Sequence, residues 1–454
     1  MDIEAILTEM SLTEKISLLA GVDMWHTAGV ERLGVPAVQM SDGPAGVRGA
    51  DDNVQDPSVC MPVGVALGAT WNRSLVRDVG AALASEARAR GVGILLAPTV
   101  NIPRAPVGGR NFEFYSEDPY LSGMIAAAYI SGLQENGVAA CLKHFAVNDQ
   151  EYQRFSISAE VDARTLHEIY LEPFRLAIEH ANPWSVMTAY NRINGIYASE
   201  HEYLVNQVLK HNWAYDGATI SDWYGTYGDA VASGPLDIEM PGPPRWMASA
   251  KVEAALESGE LDEVRLNDKV RRILRLVSRV ADVSATPPDY SGPELDRIAR
   301  RAATEAVVLL KNEGAVLPLE PSRMRRVVVI GENARKPQIA GGGSAFVNAR
   351  YAVSPLDAIR ATLGDKVSVE YHIGTPTHRR PPLVESGWLR ALDGSEGLTL
   401  SYFDNLQWQG VPSHVSVVPR TELSWFGTVN PYVDPTNFSL RLEGTLQAPK
   451  SGEY

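Results

Sequence analysis

The sequence predicts an α/β protein: a (β/α)8 TIM-like barrel, then an α/β sandwich domain, then the beginning of an all-β module. Three observations carry this. Short apolar runs alternate with helix-like segments in the first half of the chain, and polar residues of chemical interest follow the ends of several different runs. Beyond Arg379-Arg380-Pro381-Pro382 the pattern changes to short alternating segments rich in Trp, Tyr, Phe and Thr. Alternating helices and continuous apolar strands imply a parallel sheet covered on both faces, and a span of roughly 250 residues suits an eight-stranded barrel. A doubly wound sheet would gather its polar residues near one switch point instead.

The elements follow in order. Ser11-Leu12-Thr13-Glu14 has the spacing of a capping box and opens a helix through Ile16, Leu18 and Leu19. Strands are expected at Val35–Met40, Gly93–Val100, Ala139–Leu142, Ser185–Ala189 and Ala218–Ile220. Helices are expected at Ser74–Arg90 and at Ala163–Ala181, where Leu166, Ile169, Tyr170, Phe174 and Ile178 share one face. A helix-rich stretch, Ser249–Val280, closes a barrel domain over 1–283. The Pro-rich run Thr286–Pro293 marks a linker over 284–296. The first part of the sandwich then runs over 297–384, with a helix over Glu294–Leu310, a buried strand at Arg326–Gly331 and a flexible loop at Gly341–Ser344. Residues 385–454 carry the strand-rich pattern and stop at Ser451-Gly452-Glu453-Tyr454, which reads as the beginning of another strand.

Composition narrows the function. With 41 Lys and Arg against 55 Asp and Glu, the net charge is −14, so nucleic-acid phosphates would be repelled. A small or uncharged ligand fits better. The N-terminus lacks the basic and apolar regions of a signal peptide, and no run approaches the roughly 18–20 apolar residues that cross a bilayer. The expectation is a soluble protein without a membrane partner, cytoplasmic rather than secreted. Cys60 and Cys141 show no metal-ligand spacing, and Cys141 reads as a buried, inert thiol. Gly341–Ser344 does not continue into Gly-Lys-Ser/Thr and is no P-loop. No metal or cofactor is predicted, and the oligomeric state is left open.

The strand ends carry the chemistry. Asp42 stands in Ser41-Asp42-Gly43-Pro44, Arg110 follows two glycines, Lys143 and His144 are adjacent, and Arg154 comes soon after. Tyr190 and Asp222-Trp223 close the set. Singly each has an ordinary explanation: Asp-Gly-Pro makes turns, Lys-His pairs sit on solvated edges, and an Asp caps the next helix. Together at a barrel mouth they supply two carboxylates, several cations and aromatic walls. A pyranose needs this set, with charged groups on its hydroxyls and an indole or phenol on its apolar face. The cations are expected to hold the neighbouring Asp ionised, as a nucleophile requires.

These residues lie in stretches that resemble the β-glucosidases of glycoside hydrolase family three. The stretches are LTEKISLLAG (12–21), SDGPAGVR (41–48), GGRNFEFYSEDP (108–119), KHFAVNDQE (143–151), MTAYNRING (187–195), SDWYG (221–225), DIEMPG (237–242) and VVLLKNEG (307–314), in the family's order. The resemblance implies a retaining, exo-acting β-glucosidase with a (β/α)8-type barrel and an α/β sandwich that completes the site. It implies Asp222 as the nucleophile that forms a covalent glycosyl-enzyme. It implies Asp42, Arg110, Lys143, His144 and Arg154 as residues that hydrogen-bond the first sugar, and Met187, Tyr190 and Trp223 as residues lining its subsite. The family's acid/base is a Glu in the later part of the sandwich, outside these residues, so none is nominated. Residues 385–454 resemble the opening half of a PA14 domain, with Arg441–Tyr454 the recognisable part.

Some positions depart from the family. Pro103 and Ala105 stand where many members have His and Asp, and Pro235 replaces a common Gly. These bear on loop shape and aglycone preference. After Lys143-His144-Phe145 the chain lacks the second His of an N-acetylglucosaminidase branch. A sugar-binding protein without turnover is the alternative if the chain truly ends at Tyr454.

Overall fold

The computed structural model describes residues 1–48, 57–281, 292–375, 377, 383–423, 432–434 and 437–451. The chain forms two compact units, Met1–Val327 with Arg335–Ser368, and Val328–Ala334 with Val369–Tyr454.

The first unit opens with α1 (Ile3–Glu9) and α2 (Leu12–Ser17). The capping box is present as expected: the Glu14 amide donates to Ser11 Oγ at 3.3 Å, and the Ser11 amide donates back to Glu14 Oε2 at 2.8 Å. Five strands then lie side by side in the order β1 (Gln39–Asp42), β2 (Val92–Leu96), β3 (Ala139–Phe145), β4 (Ser185–Thr188) and β5 (Ala218–Ser221). Every pair is parallel. Residues of β3, β4 and β5 are buried throughout, as strands covered on both faces must be.

Single bridges carry the sheet round to its start. Ile220 pairs with Ile238, Glu239 with Ala20, Gly21 with Thr27 and His26 with Gln39, the last two antiparallel. The result is a closed, TIM-like ring in which three bridged segments stand where the sequence pattern implies regular strand–helix units. Helices α3 (Arg73–Ala89), α4 (Pro119–Gln134), α5 (Glu172–Ala181) and α6 (Glu263–Ala281) cover it.

Two predicted helices are shorter than the periodicity implied. Over 163–181 only Ala163–Thr165 and α5 are α-helical, and Leu166–Tyr170 is π-wound. Pro173 supplies no N–H for the Ile169 carbonyl, and the backbone takes a wider step, with Leu171 N donating to Leu166 O at 2.9 Å. The helix α7 (Gly292–Glu305) stops short of Leu310. Val307 to Leu310 are all exposed, and four consecutive apolar residues could not share one helical face. The expected linker falls at 284–291 outside the described residues, while 292–296 belong to α7.

The Gly341–Ser344 loop is mostly exposed and approaches the barrel at Gly341. A Cβ at Gly341 would stand 2.2 Å from the Phe112 ring, so a side chain there would displace that ring. Downstream, Ala345 and Val347 are buried, and Arg350 pairs with Glu86.

The strand β6 (Arg326–Ile330) pairs with β7 (Ser368–His372) in a two-stranded sheet. It was expected to be buried, yet Val328 and Ile330 are exposed, because β6 has a single strand partner among the described residues. In the second unit β8 (Leu398–Phe403) sits between β9 (His414–Val418) and β10 (Ser439–Glu443), antiparallel to both.

Candidate active site

The parallel strands deliver their C-terminal ends to one place. Asp42 ends β1, and the chain must turn sharply there: Gly43 has φ 139°, and a Cβ on it would lie 1.7 Å from the Gly46 carbonyl oxygen. Lys143 and His144 lie near the end of β3, Met187 on β4 and Asp222 just after β5.

Lys143 is buried, and its Nζ stands 3.7 Å from Asp42 Oδ1. Arg48 reaches the other Asp42 oxygen at 4.0 Å. Burial raises the Asp42 carboxyl above its ordinary range; Lys143 and Arg48 oppose this, and Asp222 adds to it. Arg110 is gripped from one side by Glu113, with Nε on Oε1 and Nη2 on Oε2, each at 2.7 Å. Burial alone would raise Glu113, but the Arg110 guanidinium brings it below the ordinary carboxylate range.

The third arm of Arg110, Nη1, meets His144 Nε2 at 3.0 Å. A guanidinium can only donate, so Nε2 is the accepting nitrogen and the proton sits on Nδ1, facing Asn101 Oδ1 at 3.3 Å. Asn101 also brackets the His144 backbone, accepting from its amide at 2.9 Å and donating to its carbonyl at 3.0 Å. Burial, with Arg110, Lys143 and Arg154 around it, pushes His144 well below the ordinary imidazole range. The sequence counted His144 among the cations; in the structure it is neutral. Its 3.6 Å approach to Asp222 Oδ2 is therefore no ion pair.

Asp222 is 7 % exposed. Oδ1 accepts from the Trp223 amide at 2.7 Å, while Oδ2 makes no hydrogen bond of good geometry. The Tyr190 hydroxyl nonetheless stands beside the carboxylate and helps to lower its pKa. Burial outweighs Arg110, Lys143 and Tyr190, leaving the Asp222 carboxyl raised. The cations were expected to dominate; desolvation is the larger effect.

Trp223 is fixed by Nε1 donating to Met24 O at 2.8 Å and by the Trp25 ring 5.5 Å away. Met187 belongs to the same apolar cluster as both tryptophans. Arg154 donates to Glu151 at 2.9 Å and lies 4.6 Å over the Tyr190 ring. Cys141 is fully buried, its thiol pushed up to about 12 by burial. Among the described residues no group of His, Cys, Asp and Glu is placed to hold a metal, and no helix is long and apolar enough to cross a membrane.

The profile of the glycosyl hydrolase family 3 N terminal domain matches residues 5–276, and that of the family's C-terminal domain matches 307–436. The chain belongs to glycosyl hydrolase family 3. It is 41 % identical over 460 residues to a β-glucosidase of Rhizobium radiobacter, covering 100 % of this chain and 54 % of that protein. The crystal structure of a Kluyveromyces marxianus β-glucosidase in complex with glucose matches with a TM-score of 0.83 at 39 % identity, over 99 % of this chain and 56 % of that one. A β-glucosidase 3B structure from Thermotoga neapolitana, in complex with α-D-glucose, gives 0.74 at 35 % identity, over 82 % and 55 %. The chain thus spans about half the length of the relatives it matches.

Of the residues gathered at these strand ends, Glu113, Asn101, Arg48 and Trp25 were not singled out from sequence. Glu113 had a signal, an opposite charge three residues from Arg110. Asn101 follows a predicted strand, as the chosen residues do. Trp25 offered none.

Proposed function

We propose that the whole protein is a retaining, exo-acting β-glucosidase that hydrolyses terminal non-reducing β-D-glucosyl residues, with Asp222 as its nucleophile. One observation carries this reading: Asp222 has one oxygen fixed by the Trp223 amide, while the other stands among buried donors, beside the Tyr190 hydroxyl, without a hydrogen bond of good geometry. That second oxygen, Oδ2, attacks the anomeric carbon, the bond to the leaving oxygen breaks, and water later cleaves the glycosyl ester with retention. Arg110, Lys143, Asp42, His144 and Arg154 hold sugar hydroxyls, His144 by exchanging its bond with Arg110 Nη1 for one with the ligand. Met187, Tyr190 and Trp223 wall the first subsite. The glucose complexes of the two solved relatives support a glucosyl ligand.

The other carboxylates of the cluster are occupied, Glu113 by Arg110, Glu151 by Arg154 and Asp42 by Lys143, and we nominate none of them as the proton donor. We also read the residues from 385 onward as the opening of a PA14-like module, an assignment that the antiparallel β8–β10 sheet supports.

An activated aryl glucoside, whose leaving group scarcely needs protonation, tests the nucleophile. Asp222→Ala should lower its hydrolysis by several orders of magnitude. An Asp that merely capped local structure would instead cost about 1 kcal/mol of stability with activity kept.

A further inference from the structure

We infer that Phe155 is the platform of the subsite that holds the leaving group, taking an aglycone with a flat aryl ring or a pyranose ring. This rests on the glucosidase reading above. A path of contacts leads outward from Asp222. Tyr190, 6 % exposed, stands beside the carboxylate. Phe155, 48 % exposed, meets Tyr190 edge to face with centroids 4.6 Å apart. A group attached to the sugar at Asp222 therefore passes from a buried phenol to a half-exposed benzene ring.

The ring is held in place although it is exposed. Arg154, tied to Glu151, lies 5.1 Å over it. The Phe155 carbonyl accepts from the Tyr197 hydroxyl at 3.2 Å. Tyr197 in turn stacks on Tyr227 at 3.8 Å and 18°, and receives a hydrogen bond from Arg192 at 3.0 Å. An isolated exposed aromatic residue is ordinary. One that is pre-positioned against the wall of a buried sugar site offers a ligand ring apolar area to cover at little ordering cost.

Calorimetry on the whole protein with S-linked, uncleaved glucosides separates the possibilities. The ligands are a naphthyl β-thioglucoside and methyl β-thioglucoside, and the variants are Phe155→Ala, Phe155→Trp and Tyr197→Phe. Phe155→Ala should weaken the naphthyl ligand about tenfold relative to the methyl ligand. Phe155→Trp should restore the preference, and Tyr197→Phe should reduce it less than Phe155→Ala does. Equal weakening of both ligands by Phe155→Ala, or no change in their ratio, would overturn the inference, as would failure of the wild type to prefer the naphthyl ligand. Hydrolysis of glucosyl fluoride, which carries no aglycone ring, tests the glucosidase reading separately. If fluoride is not released while the naphthyl preference responds to Phe155, the subsite stands and the reaction assignment falls.

Discussion

Glu113 accepts two arms of the Arg110 guanidinium, at 2.7 Å each, and so aims the third at His144. All three side chains are buried. Glu113→Ala should therefore leave an uncompensated buried cation and cost about 3 kcal/mol in urea unfolding. It should also weaken glucose binding, because Arg110 loses its orientation. Glu113→Gln keeps the shape without the charge and should fall between the two.

His144 should stay neutral as the protein is acidified. Its folded pKa lies well below the ordinary 6.5, so below that pH the unfolded chain takes up a proton that the folded chain refuses. Stability is then full above 6.5 and is lost as pH falls from there toward the folded value. NMR of ring-labelled histidine, with His144→Gln to assign its signal among the 9 histidines, should show an Nδ1–H tautomer that does not titrate near 6.5.

Asp222 should be stabilising only when protonated. Its carboxyl is raised by burial from an ordinary 3.8, so the stability it contributes is present below 3.8 and lost as pH rises through the folded value. Asp222→Asn should thus unfold at a higher temperature than wild type at neutral pH, by a few degrees, while losing activity. A destabilised Asp222→Asn would show that Arg110 and Lys143 depend on this carboxylate more than burial opposes it.

How far the sequence reached is clearest at these residues. Asp42, Lys143 and Asp222 could be placed because a parallel strand ends at each, and strand ends are legible from apolar runs. Their protonation was not legible. Whether His144 is a cation depends on its burial and on the direction in which Arg110 points; Glu113 sets that direction, and Asn101 holds the other side of the His144 ring from a different strand end. The ring closure at Ala20, Thr27 and Glu239 was equally hidden, because a single bridge has no periodicity to detect. Pro173 could have warned that the 163–181 helix changes its winding.

Lys269 gives a prediction remote from the site. It is buried on α6, with Nζ on the carbonyls of Gly234 at 2.6 Å and of Leu236. Burial lowers it from 10.5 to about 7. Between those values the unfolded chain binds a proton that the folded chain lacks, so stability should rise as pH rises from about 7 to 10.5. Lys269→Met should flatten that rise in urea melts taken across the window. An unchanged slope would mean that Lys269 keeps its proton, held by the two carbonyls.

The most direct measurement is mass spectrometry of peptides from the whole protein inactivated with a 2-deoxy-2-fluoroglucosyl fluoride, which slows the second step and traps the glycosyl ester. The predicted result is one added fluoroglucosyl group on the peptide bearing Asp222, absent from Asp222→Ala. A label on another carboxylate, or turnover of glucosides by Asp222→Ala at the wild-type rate, would contradict the account.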